Sequence, residues 1–573
     1  MLRKFIALFL TLLPVAIFWQ IWAVYVVNIP KWDDHALKAF LLHLEQADSF
    51  SERVYQVLRQ HNEHRIVLDR IITWLDFRLF GKLDFRHLMT LGNLSLVGLL
   101  VVFGDVLRRS VQIEKTVWLL FLPPVSFFLF NLSHWENMFW GMASLQNFTV
   151  VLWALWAIYT LTFTQNWPLA IALAVLTTLT SGNGLLIWPI GAGLLVLQAL
   201  VRRDLDWKRP ALNRQLVLPL VCWLIGAAIT IGLYFVGYEK PAGNPPVRGS
   251  VGELLTGWLA FLGSAAEVLP VGSALTNSVG LGVVLVLAVA VLIGSSALNL
   301  FRLPLVTLGT ASRPHANQLT LFFAGSVGFL LGTAAIVAWS RVGFGLETLI
   351  TSRYKLYSLT LLVLVYVAVV SRLSGRGRWL AGGVGLLVST GLAGLSYPAF
   401  TDDVIWWRQW LLTNQFNWTY TTNRPVSTLD ATTARWITNA PAFYDRELAG
   451  FYRPSDRQMK PINVNTNPVK LAESQLPFAI GPDAGMYTLL RSDRRVYLFS
   501  TTPTLQQSAR AKLGLALPTA TGFSVQIGDS EIDSGRYAVE LVQIEPSGRV
   551  LRSATGQTLT VLPAKRNALK KNW

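Results

Sequence analysis

The chain has 573 residues, 52% of them hydrophobic and only 14% charged, with a formal net charge of +17 and a mean hydropathy of +0.44. A composition so apolar excludes an ordinary soluble protein. The positive charge does not indicate nucleic acid, because Lys and Arg fall in short clusters between apolar runs instead of along one arm or face. A lone cysteine, Cys222, sits inside an apolar run and excludes both an intrachain disulfide and a Cys-based metal site.

In chain order, a basic start, Met1 to Phe5, leads into about two dozen apolar residues with no small-residue cleavage pattern, which predicts a retained signal anchor over 5–28. Further spans are predicted near 87–106, 116–131, 144–164, 168–181, 185–201, 215–236, 277–300, 318–339, 354–371 and 379–398, each set by the length needed to cross a ~30 Å hydrocarbon core. With the N-terminus cytoplasmic, the inside loops hold Arg3, Lys4, Arg108, Arg109, Lys115, Arg202, Arg203, Lys208, Arg209, Arg214, Arg302, Arg313, Arg372, Arg376 and Arg378 against Glu114, Asp204 and Asp206. Such an excess is the positive-inside bias. Counting the apolar stretch 252–270 as a crossing would put the later clusters outside. With its Gly and Pro content and Glu253 and Glu267, it reads as re-entrant or interfacial.

Segment 29–86 forms a first external loop with the pattern of two amphipathic helices lying on the bilayer. Beyond 399 a Trp-, Asn- and Pro-rich stretch predicts an irregular external linker to about 480. The remainder, 481–573, alternates apolar and polar residues in MYTLLRS, RVYLFST, FSVQIG, RYAVELVQI and QTLTVL, predicting a small β-sandwich-like domain. The predicted fold class is therefore a polytopic α-helical membrane protein of about eleven transmembrane helices with a C-terminal β-rich domain outside, in a plasma membrane.

On this topology the conspicuous polar clusters lie in external loops and can converge on one cavity. Asp33 and Asp34, in Trp32-Asp33-Asp34-His35, can supply a general base, although an Asp there is equally suited to cap the helix that follows. Five of the seven histidines lie between 35 and 87. Within that stretch His61, Asn62, Glu63, His64 and Arg65 form a polar run, of which Glu63 and His64 could hold a divalent ion. The spacing matches no zinc signature, and an Arg65 to Asp69 pair on an interfacial helix is the plainer alternative. His134, Glu136 and Asn137 follow in Ser133-His134-Trp135-Glu136-Asn137, with Gln146 just inside the next span. Trp135 and Trp140 read as interface anchors. The break at Ser181-Gly182-Asn183-Gly184 is either a tight turn or part of the cavity wall, and Tyr238 and Lys240 suit a headgroup or sugar contact. Arg341, Arg353 and Lys355, with Tyr354 between the last two, gather three cations on a face that the charge bias should leave poor in them, which asks for an anionic partner such as a phosphate.

Taken together, HNEHR, HWENMFWG, SGNGLLIWP, GYEKP and SRVGFG…SRYKLYS resemble the GT-C superfamily of membrane glycosyltransferases, through an uncharacterised group of bacterial multi-span proteins placed near it. The resemblance covers about 1–398 and leaves out the tail. It implies transfer of a sugar from a polyprenyl-phosphate donor to a glycan, lipid or protein acceptor on the extracytoplasmic face of a bacterial inner membrane. It further implies Asp34 or Asp33 as base, Arg341, Arg353 and Lys355 as the donor-phosphate clamp, and Glu63, His64 and Glu136 as positioning residues for acceptor or metal. The alternatives are a transporter or flippase of lipid-linked anions, which would need ionisable groups near mid-membrane, and a non-catalytic scaffold with a glycan-binding tail.

Overall fold

The computed structural model describes residues 2–111, 116–202, 210–240, 249–301, 314–420, 449–453, 455, 459, 478–493, 495–505, 520–525, 527, 532 and 534–562. Lys115, Arg203, Lys208, Arg209, Arg302 and Arg313 of the charge bias, and most of the expected linker, lie outside them.

Among the described residues, ten helical stretches are long and apolar enough to cross a membrane. The first is α1 (Leu2–Tyr25). The loop after it carries α2 (Asp34–Glu45), α3 (Phe50–Leu58) and α4 (Val67–Phe80). α3 and α4 leave Phe50, Tyr55, Trp74 and Leu79 exposed, the amphipathic pattern expected of helices at an interface. α5 (Phe85–Ser110) leads to a span broken into α6 (Pro123–Leu129) and α7 (Trp135–Met138). The next span combines α8 (Gly141–Ala143), a π-helical turn over Ser144–Phe148 and α9 (Thr149–Tyr159). There follow α10 (Trp167–Thr180), α11 (Ile187–Arg202), α12 (Pro210–Phe235), α13 (Val251–Leu262), α14 (Ala274–Phe301), α15 (Pro314–Arg341), α16 (Lys355–Arg372) and α17 (Gly375–Tyr420).

One expected span departs from the expectation, and the segment expected to be re-entrant does not cross. α10, over the expected span 168–181, has 14 residues, about 21 Å of helix, and is not among the ten helices long enough to cross. It ends where Gly184 packs so tightly that a Cβ would stand 2.1 Å from the Thr177 carbonyl oxygen. α13 is shorter still at 12 residues, begun by a Ser250–Glu253 capping box, and at about 18 Å it cannot cross alone. It packs on α14 through backbone contact, since a Cβ on Gly263 would meet the Ser278 oxygen at 2.0 Å.

α17 overturns the expectation of irregular chain from 399. It runs unbroken for 46 residues, about 69 Å, longer than one span needs, and its last third keeps Trp407, Leu411 and Leu412 packed in the main core. That extension carries the C-terminal strands β1 (Gly485–Arg491), β2 (Val496–Ser500), β3 (Thr502–Leu505), β4 (Ala520–Ser524), β5 (Gly535–Ile544) and β6 (Val550–Val561). They form a four-stranded antiparallel sheet ordered β2-β1-β5-β6 and a two-stranded β3-β4 ribbon. The sheet is not half of a simple sandwich. Tyr487, Leu489, Leu498 and Val542 on one face bury Phe416 of α17, while Met486 and Leu541 on the other pack against Phe523 of the ribbon.

The helix also closes the β2 edge. The Asn417 side chain donates to the Leu498 carbonyl at 3.0 Å and accepts from its N–H at 2.8 Å, as a neighbouring strand would. Asn417→Ala strands both backbone groups in a buried place. We expect a loss of about 2 kcal/mol, read as faster amide exchange in β2 with the membrane helices unaffected.

Candidate functional site

The polar loops meet at the end of the bundle that carries the sheet. There a cavity of about 500 Å³ is lined by residues from seven separate segments.

The chain leaves α1 and turns sharply at Trp32, whose backbone has a left-handed φ of 39°, strain of the kind that persists at functional sites. The turn sends the two adjacent carboxylates in different directions. Asp34 is fully buried. It accepts the Lys31 N–H at 3.0 Å and the Met142 N–H at 2.8 Å, tying the loop to α8. Burial, partly offset by these two hydrogen bonds, raises its carboxyl to about 7. Asp33 keeps 39% of its side chain exposed, lies 3.7 Å from His61 Nε2 and lines the cavity. Burial pushes its carboxyl up, but the nearby His61 ring and the charge of Arg353 outweigh this and hold it below its ordinary range. Of the two aspartates named from the sequence, only Asp33 is on the wall.

The polar run at 61–65 is a two-residue reverse turn. His61 and His64 exchange N–H to carbonyl hydrogen bonds of 2.9 Å, and Asn62 takes a left-handed φ of 47°, a geometry Asn tolerates. His61, Asn62, Glu63 and His64 line the cavity. Glu63 is ion-paired with Arg341, and His64 Nδ1 accepts the Gly182 N–H at 3.0 Å. Arg65 points elsewhere. It donates to the carbonyls of Leu58, Tyr234 and Val236, so the expected Arg65–Asp69 pair does not form and Arg65 clamps the end of α12. Asp69 is buried.

The run from Ser133 to Asn137 builds a seat for Arg353. Ser352 Oγ donates to the Ser133 carbonyl at 2.8 Å and accepts the Glu136 N–H at 3.1 Å, while Asn137 donates to the Arg353 carbonyl at 3.0 Å. The Glu136 carboxylate lies 3.6 Å from Arg353 Nε, and the guanidinium stands over Trp140, 5.7 Å from its ring centroid, within cation–π range. Glu136 and Asn137 thus act from behind the wall, and His134 is buried with Nε2 2.8 Å from the Leu129 carbonyl. Trp140 is too buried to be an interface anchor, whereas Trp135 is half-buried. Trp140 is 3% exposed, and with Trp32, Trp407 and Trp410 it surrounds the Lys31 ammonium, while Trp135 packs on Trp407.

Arg341, at the last residue of α15, Arg353 and Tyr354 line the cavity. Lys355 does not. It is fully buried, ion-paired with Glu267 and donating to the Ile350 carbonyl at 2.6 Å. Asn183 lines the wall and donates to Tyr357 Oη at 2.9 Å, so the Ser181–Gly184 break is both a turn and part of the site. Tyr238 lines the cavity, whereas Lys240 is exposed away from it.

No family model, curated protein or solved structure matches this chain.

Its chemistry therefore rests on the cavity itself, whose lining joins the polar side chains of Asp33, His61, Glu63, His64, Arg341 and Arg353 to the apolar ones of Leu185, Leu186, Pro189, Phe235, Ile336 and Val337. Phe235 and Ile336 are also exposed on the outer surface at 49% and 44%. A ligand with a charged or polar head and an apolar chain matches both kinds of lining. Sequence reasoning passed over Tyr234, Tyr357 and Thr333, which also line it. They sit inside apolar spans, where single polar residues carry little signal. Gln146 and Asn147 reach the wall because the π-helical turn over Ser144–Phe148 re-aims them. Among the described residues no three His, Cys, Asp or Glu side chains are grouped as metal ligands. Glu63 and His64, the pair named for a metal, engage Arg341 and the Gly182 amide instead.

Proposed function

We propose that this protein is a membrane glycosyltransferase that moves a sugar from a polyprenyl-phosphate carrier to an acceptor hydroxyl on the extracytoplasmic face of a bacterial inner membrane. The observation that carries this reading is one cavity holding a carboxylate, Asp33, two guanidinium groups, Arg341 and Arg353, and apolar side chains. In this reading the N-terminus is cytoplasmic, and the cavity and the C-terminal sheet lie outside.

Arg353, assisted by Arg341, holds the donor phosphate through charge-assisted hydrogen bonds, and the polyprenyl chain lies along the apolar side chains. The acceptor oxygen attacks the anomeric carbon as the bond from that carbon to the phosphate oxygen breaks. The bonding pair leaves with the phosphate, whose growing charge the guanidinium groups stabilise, and the hydroxyl proton passes to Asp33. Attack from the face opposite the phosphate inverts the anomeric configuration.

The test is reconstitution of the full chain in nanodiscs with undecaprenyl-phosphate hexoses and oligosaccharide, lipid or peptide acceptors. Release of undecaprenyl phosphate that depends on acceptor and on Asp33 is the expected result. Movement of the intact donor across liposome bilayers with no release would point to transport and overturn the reading. Because its surroundings hold the Asp33 carboxyl below its ordinary value of 3.8, the base is ionised above that value. Turnover should hold steady from about pH 5 to 8 and fall only in stronger acid. An acid limb centred near neutrality would exclude Asp33 as the base.

A further inference from the structure

We infer that His64 works as a neutral hydrogen-bond donor to an oxygen of the ligand in the cavity, with its Nε2 hydrogen fixed in place by the Gly182 amide. Only the identity of that oxygen rests on the proposed transfer chemistry.

The Gly182 N–H donates to His64 Nδ1 at 3.0 Å. A ring nitrogen that accepts carries no proton, so the neutral imidazole bears its hydrogen on Nε2. That nitrogen lies 3.7 Å from the nearest Glu63 carboxylate oxygen, beyond hydrogen-bond reach, and Glu63 is already taken by Arg341. The Nε2–H is therefore placed for an oxygen brought by a ligand, on a residue that lines the cavity. Burial disfavours the imidazolium and holds the ring below its ordinary value; Glu63 and Asp33 oppose this, while His61 and Arg341 add to it.

The contact also explains the residue at 182. A Cβ there would stand 3.0 Å from His64 Nδ1 and 3.1 Å from Tyr234 Oη, so glycine lets the backbone come close enough to donate. The arrangement works against metal ligation. An ion on Nε2 would force the hydrogen onto Nδ1, where two N–H groups would then face each other. A hydroxyl or phosphoryl oxygen imposes no such cost, and the sugar-phosphate head of a lipid carrier supplies both.

Two measurements on the full chain in nanodiscs test this. Nitrogen NMR of ¹⁵N-histidine protein, with His64 assigned by its loss in His64→Gln, should show one protonated and one bare ring nitrogen at pH 7. The protonated one should be Nε2, and zinc or manganese should not move either signal. An imidazolium, the opposite tautomer or a metal-induced shift overturns the inference whether or not the protein transfers sugar. Binding of undecaprenyl phosphate should weaken about tenfold in His64→Ala, the effect of one lost hydrogen bond to an anion. His64→Gln, whose amide N–H reaches close to the Nε2 position, should restore most of it. Equal losses in the two variants, or none in either, would show that no such hydrogen bond is made.

Discussion

Asp33→Asn should leave the protein folded and inserted but lower turnover by about 10²–10⁴-fold, the usual contribution of a positioned general base. The asparagine keeps the volume and removes the proton acceptor. Since Asp33 is 39% exposed and touches His61, little stability depends on it. Its neighbour should behave in the opposite way. Asp34 is fully buried and accepts two backbone N–H groups, and an amide can accept from one only by presenting N–H to the other, a mismatch of about 1–3 kcal/mol. The pH dependence separates the two further. The Asp34 carboxyl rises from 3.8 to about 7 on folding, so the protonated group's contribution is full below pH 4 and is lost as pH climbs through 7. Asp34→Asn should flatten the stability curve between those limits, whereas Asp33→Asn should not. Thermal unfolding from pH 4 to 8, beside release of undecaprenyl phosphate, reads both. Full turnover in Asp33→Asn, with turnover lost and the stability profile unaltered in Asp34→Asn, would reverse the two roles.

Arg353→Ala should weaken undecaprenyl phosphate binding by about 10–100-fold, measured by titration in nanodiscs. The effect is large because the site is built around this side chain. Glu136 stands 3.6 Å from its Nε, Trp140 lies beneath its plane, and Ser352 and Asn137 fix its backbone. Removing the guanidinium also leaves the Glu136 carboxylate, 14% exposed, without its counter-charge. The single variant should therefore lose stability as well as affinity. The double variant Arg353→Ala/Glu136→Gln should recover the stability and none of the affinity. Lysine should not substitute, because an ammonium offers neither the two-pronged geometry for phosphate nor the flat face that stacks on indole. Undiminished binding in both Arg353→Ala and Arg341→Ala would sink the phosphate clamp.

How much of this was legible beforehand differs by residue. Apolar runs located most of the long helices to within a few residues, the end of α17 excepted, because crossing a hydrocarbon core is a demand on composition and length that any window of sequence reveals. β1, β2 and β5 were also plain from alternation, since a sheet with two different faces imposes a period of two, whereas β3 and most of β4 were not read. The cluster at 61–64, Tyr238, Asn183, Arg341 and Arg353 were found by asking which polar residues share an end of the bundle. That question needs only the parity of the crossings.

Orientation within a loop was not legible. Asp33 and Asp34 are adjacent, and their separation into wall and buried strut follows from a left-handed backbone at Trp32 that no pattern announces. Arg65 and Lys355 looked like ligands because they are cations in the right loops, yet Arg65 is consumed by carbonyls of a distant segment and Lys355 by the Glu267 carboxylate and the nearby Ile350 carbonyl. The length of α17 was hidden because its last third reads as part of an irregular Trp- and Asn-rich linker until the sheet that covers it is in place.

The sequence by itself determined a many-span helical membrane protein, a β-rich tail and the set of loops that share one end, since these depend on local composition and on counting. Only the tertiary structure decided which members of those loops face a common cavity, which serve as struts, and that the tail's sheet rests on the last helix. Such choices depend on hydrogen bonds and close contacts between segments far apart in the chain, whose distances no linear pattern encodes.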